Sequence, residues 1–205
     1  MLCKRYETRK KGNSPLSPIL IVYGTTEGHT AKIASRLAET ISAKGYEVDV
    51  FDSRQMPGDI SLGSYAAALI GASMHAKGFQ QSIREFVQQH HAALKRMPSA
   101  FFSVSLTEAY PPGEHLPERA ALQEHIERFL DDTDWEPQAI ASFAGALSYS
   151  RYGFFKRRVM RSIARKAGQP TDTSRDYEYT DWEAVARFAE QFATSLEEAP
   201  ASHPS

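Results

Sequence analysis

Apolar residues recur along this chain in two alternating rhythms: short unbroken runs and longer stretches at helical spacing. Ile19, Leu20, Ile21, Val22 and Tyr23 form a run of strand length with no charged residue, the pattern of a strand covered on both faces. Over residues 30–44, Ile33, Ala34, Leu37, Ala38 and Ile41 fall on one helical face, and Gly45 supplies a stop. Further strands are predicted over 46–52, 66–72, 100–105 and 139–147. Further helices are predicted over 79–97 (through Ile83, Phe86, Val87, His90 and Leu94, ended by Pro98), 116–130, near 153–167, and 181–196. Thr180 and Glu183 have the spacing of a capping box for the last of these, which carries an apolar stripe of Trp182, Val185, Ala189, Phe192 and Leu196.

Strands alternating with helices imply right-handed βαβ crossovers, hence an α/β fold with a parallel sheet and helices on both faces. Such sheets bind ligands beyond the carboxyl ends of their strands. With 205 residues and no internal repeat or linker, the expectation is one domain over 18–197. Residues 1–17 carry Lys4, Arg5, Arg9, Lys10 and Lys11 without an apolar core, and are expected to be a disordered basic tail rather than a signal peptide; 198–205 are expected to be a second disordered tail. One cysteine, Cys3, excludes a disulfide framework and a cysteine metal site and favours a reducing, cytoplasmic compartment. No apolar run reaches the roughly 18 residues of a spanning helix.

Between the first strand and first helix lies a loop of hydroxyls and glycine: Gly24, Thr25, Thr26, Glu27, Gly28, His29 and Thr30. A loop at such a junction aims backbone N–H groups and the positive end of a helix beyond the sheet edge, and so makes an anion site. No lysine follows Gly28, so the nucleoside-triphosphate pattern fails; Gly24 and Gly28 are four apart, and Thr30 stands where the dinucleotide pattern needs glycine. What remains suits a single phosphate ester, the alternative being a hydroxyl-rich turn that merely caps a helix. His29 lacks a second metal ligand, which leaves it a hydrogen bond to phosphate or water. No metal site is expected.

The loops after the third and fourth strands should hold the rest of the ligand. The first offers Ser73, Met74, His75, Ala76, Lys77 and Gly78; the second offers Ser103, Val104, Ser105, Leu106 and Thr107, then Tyr110 with Pro111, Pro112 and Gly113. Amides, soft side chains and glycine suit a planar heteroaromatic ring with a polar edge. A planar ring with one phosphate is what FMN presents, with a mononucleotide or no ligand as the alternatives. His75 and Lys77 either place positive charge beside the ring or stand in solvent; Tyr110 either stacks on the ring or packs on its own prolines. The pair His90 and His91 reads as helix surface.

The formal charge of −1 is unevenly distributed: residues 137–171 contain no Asp or Glu but carry Arg151, Lys156, Arg157, Arg158, Arg161, Arg165 and Lys166. At about 100° per residue, Arg157, Arg158, Arg161 and Arg165 form one stripe opposite Phe155, Val159, Met160 and Ile163. Such a helix lies on an anionic membrane surface, packs on the sheet with its arginines in water, or attracts a carboxylate-bearing substrate. Nucleic acid is not expected, because aromatic interleaving is confined to Tyr149, Tyr152, Phe154 and Phe155.

TAKIAS at 30–35, IGAS at 70–73, EFV at 85–87, MPSAF at 97–101, AGAL at 144–147 with Tyr149, Arg151 and Tyr152, TDT at 171–173 and YTDW at 179–182 together carry a resemblance. Over about 19–193 the chain resembles the flavodoxin-like, quinone-dependent protoporphyrinogen oxidases (protoporphyrinogen IX dehydrogenases) of bacterial haem synthesis. The resemblance implies a flavodoxin-like three-layer sandwich with a five-stranded parallel sheet in the order 2-1-3-4-5. It implies FMN as cofactor, protoporphyrinogen IX as substrate, and menaquinone or ubiquinone as acceptor at the inner face of the membrane. By it, Thr26 to Thr30 would hold the phosphate, and 73–78, 103–107 and the region of Tyr149 would surround the ring. Arg151, Arg157, Arg158, Arg161 and Arg165 would face substrate or membrane. The loop 107–116 is acidic and proline-rich where the family is basic, and the basic N-terminal extension is not a family feature. A flavodoxin-type electron carrier and an FMN-dependent NAD(P)H or quinone reductase are the competing activities. The nearly neutral charge speaks against an acidic carrier, since positive groups near the ring favour its reduced anion.

Overall fold

The computed structural model describes residues 4–6, 17–75, 78–111, 113–147, 149 and 172–198. Among these, the strands are β1 (Lys4–Tyr6), β2 (Ile19–Gly24), β3 (Val48–Asp52), β4 (Ala67–Ser73), β5 (Ser99–Ser105), β6 (Ala139–Ala144), β7 (Ala146–Leu147) and β8 (Tyr177–Glu178). The helices are α1 (His29–Ala43), α2 (Gln81–Leu94), α3 (Leu116–Thr133) and α4 (Trp182–Glu198). The expected helix over 153–167 lies outside the described residues.

β3, β2, β4, β5 and β6 run parallel in that order, which is the expected 2-1-3-4-5 arrangement. Period-2 alternation assigns each strand residue to one of two cores. Ile19, Ile21, Val48, Leu69, Phe102 and Val104 pack under Ile33, Leu37 and Ile41 of α1 and Val185, Ala189 and Phe192 of α4. Leu20, Val22, Ala68, Ile70 and Phe101 pack under Ile83, Phe86 and Val87 of α2 and Leu122, Ile126 and Phe129 of α3. Helices on both faces explain why β2, β4 and β5 are buried almost throughout. Polar atoms inside the second core are paired: Trp135 Nε1 donates to Ser99 Oγ (3.1 Å), which donates to the Leu94 carbonyl (3.1 Å).

Two features depart from the sequence reading. Lys4–Tyr6, placed within a disordered tail, form a sixth, antiparallel strand on β3, with Arg5 opposite Asp49. Its cause is charge: Asp49 is buried on β3, which would be the sheet edge without β1, and accepts from Arg5 Nε (2.8 Å), Arg5 Nη2 (3.0 Å) and the Tyr65 hydroxyl (3.2 Å). The predicted fifth strand over 139–147 is broken at Gly145, after which β7 leaves the sheet to pair antiparallel with β8.

Gly71 sits opposite Phe102 in the β4–β5 register, and a Cβ there would overlap the Phe102 ring. Gly71→Ala therefore lowers stability by about 1–3 kcal/mol through overpacking, as urea unfolding will measure. Adding Phe102→Leu, which vacates part of that space, recovers some of the loss.

Candidate functional site

At the carboxyl ends of β2, β4 and β5 the chain turns through three loops. In the first, the Thr25 hydroxyl accepts from the Gly28 N–H (2.8 Å), closing a turn that requires the left-handed conformation of Gly28 (φ 88°). Gly28 is the N-cap of α1, and no side chain caps the helix. The first-turn amides therefore lack intrahelical acceptors and end in partial positive charge. Thr30, in that same turn, is 1 % exposed, and its hydroxyl has no hydrogen-bond partner. A buried orphan donor beside free amides is what an oxyanion would satisfy.

The second loop is tied to the first by Gln80, which sequence reading passed over because nothing marks one glutamine in a polar run. Its Oε1 accepts from the Ser73 N–H (3.1 Å), and its Nε2 donates to the Ser73 hydroxyl and to the Thr26 hydroxyl (3.3 Å). Gly24 is needed beneath this brace, since a Cβ there would lie 2.8 Å from Gln80 Oε1 and 2.7 Å from Ile83 Cγ1. Beyond Ser73, the Met74 N–H donates to the Val104 carbonyl (2.8 Å), and His75 and Gly78 exchange backbone hydrogen bonds (3.2 and 2.8 Å) across a turn that sets Gly78 at φ 94°. His75 Nε2 meets the Ser73 hydroxyl at 3.1 Å. Ala76 and Lys77 lie outside the described residues.

In the third loop, Ser105 Oγ accepts from the Thr107 N–H (3.1 Å), starting the short turn Leu106–Ala109. Arg119 secures the far side of this turn, donating to Glu108 Oε2 (2.8 Å) and to the Tyr110 carbonyl (2.7 Å). Tyr110 stacks on His115 (3.8 Å between ring centroids, 22°).

Four side chains expected at the cofactor are engaged with other parts of the protein. Ser103 is fully buried and shares a hydrogen bond with Ser142 across the β5–β6 ladder (2.8 Å); two residues on from Phe101, it projects from the same covered face of the sheet. Val104 likewise packs in the core and offers only its carbonyl. Tyr149 is fully buried against Leu147, Leu106, Tyr177 and Tyr179, with its ring near-perpendicular to that of Tyr177. His29 keeps its amide at the first turn of α1, but its imidazole turns away to Thr180 Oγ1 (2.6 Å). Burial holds its pKa below the ordinary value, against the opposing pull of Glu178, whose Oε2 lies 3.7 Å from Nδ1. Thr180 is accordingly no capping box: Asp181 caps α4, accepting from the Glu183 and Ala184 N–H groups (2.9 Å each). Glu27 stands partly exposed in the loop. Arg151, Arg157, Arg158, Arg161 and Arg165 lie outside the described residues.

Among the described residues no cluster of His, Cys, Asp and Glu is arranged to hold a metal, and no helix is long and apolar enough to cross a membrane. A shallow cleft of about 420 Å³, lined by Lys44, Arg187, Glu190 and Glu198 among others, opens beside the far end of α1, away from these loops.

Residues 20–174 match the family model described as a flavodoxin domain. Solved structures agree on the fold: a short-chain flavodoxin associated with a PDU bacterial microcompartment superposes with a TM-score of 0.55 at 12 % identity, covering 88 % of this chain and 99 % of that one. Oxidised flavodoxin 1 from Bacillus cereus gives 0.52 at 18 % identity, covering 87 % and 98 %. The fold and site thus define a flavodoxin-domain protein. Its curated relatives narrow the class: proteins named protoporphyrinogen IX dehydrogenase (quinone) are 38 % identical in Leishmania major (85 % of this chain, 74 % of that protein) and 36 % identical in Escherichia coli K12 (85 % and 93 %). The chain belongs to the protoporphyrinogen IX dehydrogenase (quinone) family of flavodoxin-domain proteins. FMN is the cofactor of that fold, and the residues present fit it: free first-turn amides, the orphan Thr30 hydroxyl and a glycine-bent turn suit one phosphomonoester.

Thr30→Val removes a hydroxyl that is unsatisfied without ligand. The FMN-free protein should keep or gain up to about 1 kcal/mol of stability while FMN binds about 10- to 100-fold more weakly, read by urea unfolding and by flavin fluorescence titration. The buried imidazole of His29 and the half-buried one of His90 both have pKa values lowered by desolvation. The unfolded chain therefore binds more protons below the ordinary histidine value of about 6.5. Stability is held above that pH and falls as pH drops from it toward the folded-state values; His29→Gln should reduce this slope in unfolding curves taken from pH 7.5 to 5.

Proposed function

We propose that this chain is an FMN-dependent oxidoreductase that oxidises protoporphyrinogen IX and delivers the electrons to a quinone. The observation that carries the reading is identity of 36–38 % over 85 % of the chain to proteins bearing that name, joined to a phosphate loop without lysine. Bound FMN supplies two-electron exchange at its ring, accepting a hydride equivalent from substrate and yielding electrons to the acceptor.

The chain's own residues bind and position. The amides of residues 26–30 other than Gly28, whose N–H is held by Thr25, and the Thr30 hydroxyl hold the phosphate; the lack of lysine leaves its charge to be met by dipoles. Residues 73–78 and the turn begun by Ser105 and Thr107 flank the ring with backbone groups. Gln80 keeps the distance between phosphate and ring loops constant by bonding to both. His75 and Lys77 place positive charge at the ring edge. Arg151, Arg157, Arg158, Arg161 and Arg165 attract the propionate carboxylates of the substrate or an anionic membrane surface where the quinone resides. Location is cytoplasmic, with peripheral contact at the inner membrane face.

An anaerobic assay tests this. FMN-loaded protein should lose its yellow colour on addition of protoporphyrinogen IX and regain it with a menaquinone analogue. Bleaching by NADPH with none by the porphyrinogen would instead identify a nicotinamide-dependent reductase.

A further inference from the structure

We propose that Thr180 is a positioning residue for the cofactor site: through His29 it latches the segment 177–182 onto the first turn of α1. The inference rests on the phosphate reading of that turn and assigns the device that keeps it in place.

The direction of the bonds is fixed by proton counting. Thr180 Oγ1 lies 2.7 Å from the Ala144 carbonyl, which only accepts, so the single hydroxyl proton goes there. At 2.6 Å from the same oxygen, His29 Nε2 must therefore be the donor. One hydroxyl thus joins the end of β6 to the first residue of α1. A second tie runs alongside: Glu178 accepts from Lys32 Nζ through Oε2 (2.9 Å) and from Trp182 Nε1 through Oε1 (2.9 Å), with the Trp182 ring 6.0 Å from that of His29. This pairing also gives Lys32 a partner away from the phosphate turn.

The segment is itself anchored at the sheet edge. The Tyr179 N–H donates to the Gly145 carbonyl (3.1 Å), and the Gly145 N–H donates to the carbonyl of Ser105 (3.0 Å), where the ring-side turn begins. Contacts therefore run from the phosphate turn through Thr180 to the ring-side turn. His29 is 8 % exposed, and among the described residues its imidazole has no alternative polar outlet of comparable geometry. An N–H group at a helix start binds an anion only within narrow limits of distance and angle, so a restrained His29 keeps the first-turn amides aimed.

Thr180→Val keeps the shape and removes both bonds. The latch is read by comparing FMN with riboflavin, which lacks the phosphate, in the full-length protein stripped of flavin. The FMN dissociation constant should rise about tenfold while that of riboflavin stays unchanged, and Thr180→Ser should restore FMN binding. Equal weakening of both ligands, or of neither, would reduce Thr180 to a packing role and overturn the proposal. Should Thr180→Val not fold, His29→Leu is put through the same comparison, and the same two outcomes support or overturn the latch. If the wild type shows no preference for FMN over riboflavin, the phosphate reading fails on its own. Hydrogen exchange at residues 28–31 then decides the latch: faster exchange in Thr180→Val supports it, and unchanged exchange refutes it.

Discussion

Everything at the working edge of this protein depends on one requirement: among the described residues, the first turn of α1 has amides with no side-chain cap and a buried threonine hydroxyl with no partner. By contrast, Asp181 closes the start of α4 with two backbone bonds. At α1 the cap is Gly28, bent into a conformation that brings backbone close and adds no side chain. An uncapped helix start is tolerated when something else completes it. A phosphate ester does so with no lysine, because the helix end already carries partial positive charge.

The two cores make that edge rigid. Alternate residues of β2, β4 and β5 are committed to opposite cores, so no strand can slip by one residue without forcing each side chain into the core shaped for its neighbour. Their carboxyl ends are therefore fixed relative to one another, and the loops inherit that precision. Gln80 then bridges the first two loops, Arg119 holds the third, and Thr180 reaches across from the last segment of the domain. The flavin chemistry needs little from catalytic side chains and much from geometry, and the number of braces matches that division.

Much of this was legible in the chain itself. The parallel sheet followed from apolar runs alternating with helical periods, its strand order from the family resemblance, and the match of residues beyond the phosphate loop separated this family from generic flavodoxins. The loop's chemistry was readable because Thr25, Gly28 and Thr30 are neighbours in sequence. Side-chain direction was less so. Ser103 and Tyr149 stood near the right edge by number, yet one is buried and paired with Ser142 across the β5–β6 ladder and a small aromatic cluster buries the other. Lys4–Tyr6 looked like tail because charge dominates their composition; they are ordered because Arg5 meets a carboxylate that cannot remain buried alone.

The sequence by itself determined the class of fold and the kind of anion at its edge, since periodicity and turn chemistry act over a few residues. Only the tertiary structure decided which side chains hold that edge together. His29 and Thr180 are 151 positions apart and Gln80 and Thr26 are 54 apart, and a hydrogen bond has a partner only once the backbone has brought donor and acceptor within about 3 Å.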